Sequence, residues 1–403
     1  MPAIATTKLV RAEISTASKN VILQKLTRQV ALYNALDQIR SLPAQRIRTL
    51  DEIMITASAY VTSKPPQPKH KNRRRWAAVE DLLDQCGRIA RGLGGTLISG
   101  PDRLLSLNAD RAYWLERVDP HHRLGEVLGQ LYPAWIRDRR AIQTKQSFWS
   151  FVGEDAVCGI GLGVDYQVQY CDASGSDDRK YLEVKWKNGK LYDYLDDPYC
   201  TEIFSTHWSG NGWAIFVADL QGRMYAYEHV VGQRHHSIFT SGAAVTAAGE
   251  LVCENGIVRV ITAKSGHYKP SPELMLNWAR RAPLLPGDAL ILPDWTQLGI
   301  LFRVSDFRRR GFDAEPVDLK TFTSQVPGWA KSKGFLEIQR AMQAAATRTT
   351  KAPFNYVYKP QRAPSAAMSN RVSSYGSVVR KGSVDQTIGV VDAPPKTNYA
   401  QWF

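Results

Sequence analysis

Between Lys19 and Arg40 the apolar residues Ile22, Leu26, Val30, Tyr33, Leu36 and Ile39 recur at helical spacing, and Pro43 closes the run. The pattern predicts an amphipathic helix. Its polar face is basic, with Lys19, Lys25, Arg28 and Arg40 set against Asp37. Further helices are predicted over 50–61, 76–91, 103–118 and 121–139, the last kinked near Pro133. From about residue 148 the period changes to two. Leu182 to Lys187 and Lys190 to Tyr194 flank Asn188-Gly189, and Leu251 to Glu254 and Ile257 to Thr262 flank Asn255-Gly256. Asn-Gly between alternating strands is the strongest short-range hairpin signal. Trp213 to Ala218 and Met224 to His229 make a third pair around Gly222. Ser271-Pro272-Glu273 then opens a helix with an N-cap, a proline at the first position and an acid in the first turn. Strands at Ala289 to Leu292 and Ile300 to Val304 and a helix over 335–347 complete the pattern.

The predicted class is α+β, a central antiparallel sheet framed by helices. Its parts are a helical N-terminal region (1–61), a basic linker (62–75), a helical region (76–147), an antiparallel β domain (148–312), a C-terminal helical segment (313–347) and a tail (348–403). The tail is rich in Ser, Pro, Ala and Lys with little periodicity, the composition of a disordered segment.

Charge sharpens this division. Of the formal +14, residues 62–75 supply six Lys/Arg with no acid, and 348–403 supply eight Lys/Arg against two Asp, which leaves +2 for the rest. A near-neutral body lacks the basic face that nucleic-acid binding requires. No run of about 18 uncharged apolar residues marks a membrane span, and no secretory signal opens the chain. The five cysteines are scattered without a CxxC pair, which fits reduced thiols in the cytoplasm, or in a protein delivered into a host cell by a signal-independent route.

Ser265-Gly266-His267-Tyr268 joins a strand to the N-terminus of the helix opened by Ser271, a point that favours anions, with His267 as proton carrier. The adjacent pairs His121-His122 and His235-His236 form no metal site, because neighbouring side chains diverge. Gly159-Ile160-Gly161-Leu162-Gly163 lacks the third spaced glycine and the βαβ frame of a dinucleotide site. Asp119 reads as a helix cap with Arg123 pairing locally. No cofactor or metal is assigned.

The ordered blocks Trp114-Leu115-Glu116, Asp119-Pro120, His122-Arg123 and Gly125, then Phe148 to Phe151, Arg179-Lys180 with Glu183-Val184, His236-Ser237 through Glu254-Asn255-Gly256, and Ser265 to Pro270 resemble the conserved domain of the plant IQM family. That resemblance implies a calmodulin-binding IQ motif near the N-terminus, of the form IQxxxRGxxxR. The matching segment is Leu23 to Tyr33, where Leu23, Gln24 and Arg28 fit, Gln29 replaces Gly and Tyr33 replaces the final Arg. Leu23, Gln24, Leu26, Arg28, Val30 and Tyr33 are thus the expected residues for calmodulin or another acidic partner. The alternative is an effector- or toxin-like transferase. Arg179, then Ser237, Thr240 and Ser241, then Glu254 follow an order similar to the Arg, Ser-Thr-Ser, Glu series of ADP-ribosyltransferases. Its candidate site residues are Arg179, Ser237, Glu254, His267 and Tyr268, and it requires them to meet in one cleft.

Overall fold

The computed structural model describes residues 20–38, 43–66, 71–95, 111–119, 123, 125–153, 177–282 and 284–348. The sequence features at His121-His122, 159–163, 166–170 and 349–403 lie outside them. Helix α1 (Val21–Gln38) is opened by Asn20, whose side chain accepts from the backbone N–H groups of Ile22 and Leu23. Leu23, Leu26, Val30 and Tyr33 are buried, and Ile22 only half so. Helix α2 (Pro43–Ser63) buries Leu50, Ile53, Ala57 and Val61 at matching spacing. Only four residues separate α1 from α2 and the two pack along each other, so they run antiparallel.

Helix α3 (Lys71–Gly95) also packs against α2, and the Trp76 indole N–H donates to the Val61 carbonyl at 3.0 Å. The helix begins earlier than the sequence predicts. Lys71, Arg73, Arg74 and Arg75, expected in a linker, occupy its first turns, and no acid accompanies them there. A cation near a helix N-terminus faces the positive end of the macrodipole and costs about 0.3–1 kcal/mol.

Helices α4 (Arg111–Val118), α5 (Gly125–Trp135), α6 (Arg139–Thr144) and α7 (Phe148–Val152) complete the helical layer. Their aromatic centre is Tyr132, whose ring meets Trp76, Trp114, Trp135 and Phe148 at centroid distances of 5.3 to 6.4 Å. Pro133 lies inside α5, which ends two residues later at Trp135 and is followed by the separate helix α6.

The sheet strands are β1 (Glu183–Lys187), β2 (Lys190–Tyr192), β5 (Ala214–Ala218), β6 (Met224–Tyr227), β7 (Ala247–Glu254), β8 (Ile257–Thr262), β9 (Leu290–Leu292) and β10 (Phe302–Arg303). Their order is β10-β9-β8-β7-β5-β6-β1-β2, and β3 (Ser205–Thr206) and β4 (Gly210–Asn211) form a separate ribbon. Both Asn-Gly turns have φ > 0 at each central residue (51° and 76°, 54° and 79°), as a type I′ turn demands. The sheet departs from the antiparallel expectation at one pair, because β9 lies parallel to β8. Helix α8 (Pro272–Arg281) makes that crossover, and Ser271 caps it by accepting from Leu274 N–H.

Alternation assigns the two faces. One face, with Phe216, Leu251, Val258, Ile261 and Ile291, packs against α8 and α9 (Val304–Arg310). The other carries two apolar clusters. Ile215, Val217, Tyr225 and Ala248 pack under the 3-10 turn His236–Thr240. Val252, Val260, Leu290 and Leu292 pack under α10 (Leu319–Gln325) and α11 (Lys333–Arg348). On β7, Glu250 stands between Ala248 of one cluster and Val252 of the other.

Candidate functional site

The seam between those two clusters is polar. At one end Glu116, on α4 and 1% exposed, reaches the sheet domain. Its Oε1 accepts from Ser237 Oγ and pairs with His267 Nε2, both at 3.3 Å, and its Oε2 accepts from the Gly125 N–H at 3.2 Å. One buried carboxylate thus ties α4, the start of α5, the 3-10 turn and the Ser265-Gly266-His267-Tyr268 corner together. Beside it Arg123 returns its backbone N–H, Nε and Nη2 to Asp119, the local pairing the sequence suggests, here in a buried setting.

From His267 the seam runs to His235, whose ring lies 5.0 Å away, and on to His229, whose Nε2 is 3.1 Å from His235 Nδ1. Burial first, then the neighbouring imidazoles, lowers both histidines, His229 to about 3. His236 turns the opposite way and bonds the Gly249 carbonyl at 2.8 Å, and burial lowers it too to about 3. All three are neutral near pH 7. Proton bookkeeping on the pair is tight. His229 Nδ1 faces the His207 N–H and His235 Nε2 faces the Gly232 N–H, so both outer nitrogens act as acceptors. Two neutral rings carry two protons, and the 3.1 Å gap between them accommodates one. One outer bond therefore yields whenever both rings are neutral.

At the far end, Glu250 is fully buried and burial raises its pKa, against the influence of Lys264 and of hydrogen bonds from Ser209 and Thr206. Ser209 Oγ bonds its Oε2, while Oε1 has no hydrogen-bond partner.

Ser237, His267 and Tyr268 therefore fall in one region, the last through Thr240 at 3.0 Å. The transferase candidate Glu254 does not. Glu254 closes the β7–β8 hairpin, salt-bridged to Arg259 at 2.7 Å, five residues beyond Gly249 and so about 17 Å along the strand. Arg179 precedes β1 and acts electrostatically on Tyr225, whose ring stacks on Phe239 of the 3-10 turn at 6.2 Å. The geometry gives no support to the transferase arrangement. Among the described residues no group of three or more metal-ligating side chains is placed to hold an ion. Glu116 stood in the sequence only as a matched letter, since its partners lie 121 and 151 residues away.

The expected partner-binding residues sit on α1 in two classes. Leu23, Leu26, Val30 and Tyr33 belong to the helical core, and Gln24, Lys25 and Arg28 are exposed. Gln29, where the IQ pattern has glycine, is 8% exposed, and its side-chain oxygen has no hydrogen-bond partner.

Residues 178–275 match the sequence model of the IQ motif-containing protein middle domain. Among curated proteins, the IQ domain-containing protein IQM3 of Arabidopsis thaliana is 30% identical over 171 residues, covering 40% of this chain and 35% of that protein. IQM5 of the same plant is 30% identical over 217 residues, 51% of this chain and 40% of its own length. IQM1 is 32% identical over 171 residues, 40% and 32% respectively. The matched stretch thus spans 32–40% of the length of these relatives. No solved structure matches.

Proposed function

With a central domain of the plant IQM type as the premise, we propose that the chain is an interaction protein that presents α1 to a calmodulin-type partner, an acidic protein with an apolar groove. The observation that carries this reading is the stripe Leu23, Leu26, Val30 and Tyr33 on one face of a helix whose other face exposes Lys25 and Arg28. Anchors at i, i+3, i+7 and i+10 on a basic helix are what such a groove reads.

The stripe is already occupied by the helical core, so partner binding is an exchange. Burying four apolar side chains stabilises the docked helix by roughly 1.5–3 kcal/mol each at most, and each 1.4 kcal/mol of undocking cost weakens apparent affinity about tenfold. Two features lower that cost. The main packing partner of α1 is α2 alone, and docking buries the unpartnered oxygen of Gln29, a penalty of about 1–3 kcal/mol that release removes.

Calorimetry with calcium-loaded and calcium-free calmodulin tests this. A peptide spanning Lys19 to Arg40 is expected to bind at micromolar affinity or better, and the whole chain more weakly. Absence of binding by the peptide in both calcium states overturns the reading.

A further inference from the structure

The crossover β8–α8–β9 makes one end of the sheet unlike the other. Val260, Ile261 and Thr262 run parallel to Leu290, Ile291 and Leu292, so β8 and β9 finish side by side. Connections leaving the carboxyl ends of parallel strands diverge, and the opening between them is where open sheets hold ligands. Lys264 follows β8 there and Trp295 follows β9. Glu250 of β7 lies opposite Thr262, at the same end.

A turn of the separate ribbon closes over this point. His207, Trp208 and Ser209 link β3 to β4. Ser209 Oγ bonds Glu250 Oε2, and the Ser209 N–H donates to Thr206 Oγ1 at 3.0 Å. The Ser209 carbonyl accepts from Ser332 Oγ at 2.6 Å and from the Gly334 N–H at 2.9 Å. This anchoring holds the backbone beside Trp208, whose ring meets Trp295 at a centroid distance of 6.5 Å with the planes 84° apart. Both indoles are half-buried, and neither belongs to an apolar cluster among the described residues. The Lys264 ammonium sits 5.9 Å from the Trp208 centroid and 3.5 Å from Glu337 Oε2 of α11. Behind the turn, Glu250 Oε1 has no hydrogen-bond partner, although Ala248 and Val252, its neighbours on the same face, are apolar.

Two nearly perpendicular indoles beside a few polar groups are the make-up of a small-molecule site. Charge balance narrows the class. Burial pushes Glu250 towards its uncharged form, and Glu337 offsets Lys264. His229 and His235, next along the seam, are neutral near pH 7. A phosphate or an ammonium group entering here loses hydration without a matching counter-charge. Hydroxyls, which both donate and accept, suit the mixed partners on offer.

We propose that the carboxyl end of the β8–β9 pair binds a neutral, hydroxyl-rich ring with an apolar face, the chemistry of a pyranose sugar. Trp208 and Trp295 cover its C–H face, Lys264 and Glu337 take its hydroxyls, and Glu250 Oε1 accepts a hydroxyl admitted behind the turn. This site is independent of the reading of α1.

The test is saturation-transfer NMR on the whole chain with the methyl glycosides of glucose, galactose, mannose and xylose as probes. At least one of them is expected to bind at millimolar affinity, with saturation strongest on the C–H protons of one ring face. Its affinity should fall roughly tenfold or more in Trp295→Ala, and should stay within about twofold in Trp186→Ala, which removes a half-buried indole from β1. Near-ultraviolet dichroism checks that each variant is folded, and Trp208→Leu repeats the test from the other wall if Trp295→Ala is not. Absence of binding by all four glycosides overturns the proposal, as does unchanged affinity in a folded variant of either wall. Tighter binding of a phosphorylated or amino glucose than of methyl glucoside overturns the assignment to a neutral ligand.

Discussion

Acid should destabilise this protein through His236, by an amount the structure permits to be estimated. The ring is 4% exposed, donates to the Gly249 carbonyl and is lowered by burial to about 3, against about 6.5 in an unfolded chain. A histidine depressed in the folded state stays neutral there while the unfolded chain takes up a proton. Stability contributed this way is intact above about pH 6.5 and is lost progressively as pH falls towards about 3. At about pH 5 the unfolded chain gains roughly 2 kcal/mol from that single site. His229 and His235 act in the same direction. Glu250, raised by burial, acts against them, since a carboxyl easier to protonate when folded gains stability as pH falls. The clean readout is therefore a double difference. Urea unfolding of the parent and of His236→Asn is measured at about pH 7 and about pH 5 in the same salt. The parent should lose about 2 kcal/mol more than the variant between those values. Equal losses would refute the claim that His236 is held neutral by burial.

Three further outcomes follow from single contacts. Glu116→Ala leaves Ser237, His267 and the Gly125 N–H without their shared acceptor and should cost about 1–3 kcal/mol for each buried group left unpaired, read as a fall in thermal midpoint, with Glu116→Gln losing less. Gly249→Ala would place a Cβ 1.8 Å from the Thr262 carbonyl oxygen, so the sheet should fail to form between β7 and β8 and the variant should be recovered insoluble or without native near-ultraviolet dichroism. In the His229–His235 pair the outer bonds compete for one vacancy, so ¹⁵N spectra at neutral pH should show two neutral rings with one outer nitrogen protonated. A pair with both outer nitrogens unprotonated would contradict that bookkeeping.

Local chemistry was the legible part of this fold. Both Asn-Gly hairpins, the Ser271-Pro272 helix start, the Pro133 position and the Asp119–Arg123 pairing each depend on residues within a few positions of one another, and each is found where the sequence places it. The parallel β8–β9 pair was not legible, because Leu290 to Leu292 is a short buried strand with no alternation to give its direction. The start of α3 was missed because arginines and lysines after a Pro-rich stretch read as linker, whereas Trp76, Val79, Leu82, Leu83 and Cys86 extend the helix backwards through them. Of the candidate site residues, the structure brings Ser237, His267 and Tyr268 into one region and leaves Glu254 at the far end of β7. Order along the chain gives no information on which end of an eight-residue strand a carboxylate occupies relative to a turn 121 residues from its partner. On α1 the anchors were visible but not their burial, since the same stripe serves a core and a partner equally well.

That double use makes partner binding an exchange of one apolar environment for another. Hydrogen exchange of the whole chain with and without calcium-loaded calmodulin measures it directly. If α1 leaves the core to enter the partner, amides of the α2 face that it covers should exchange faster on binding while those of Val21–Gln38 stay protected or become more so. Calmodulin binding that leaves α2 unchanged, or that protects some other surface and not α1, would contradict the exchange of Leu23, Leu26, Val30 and Tyr33 from one apolar environment to the other.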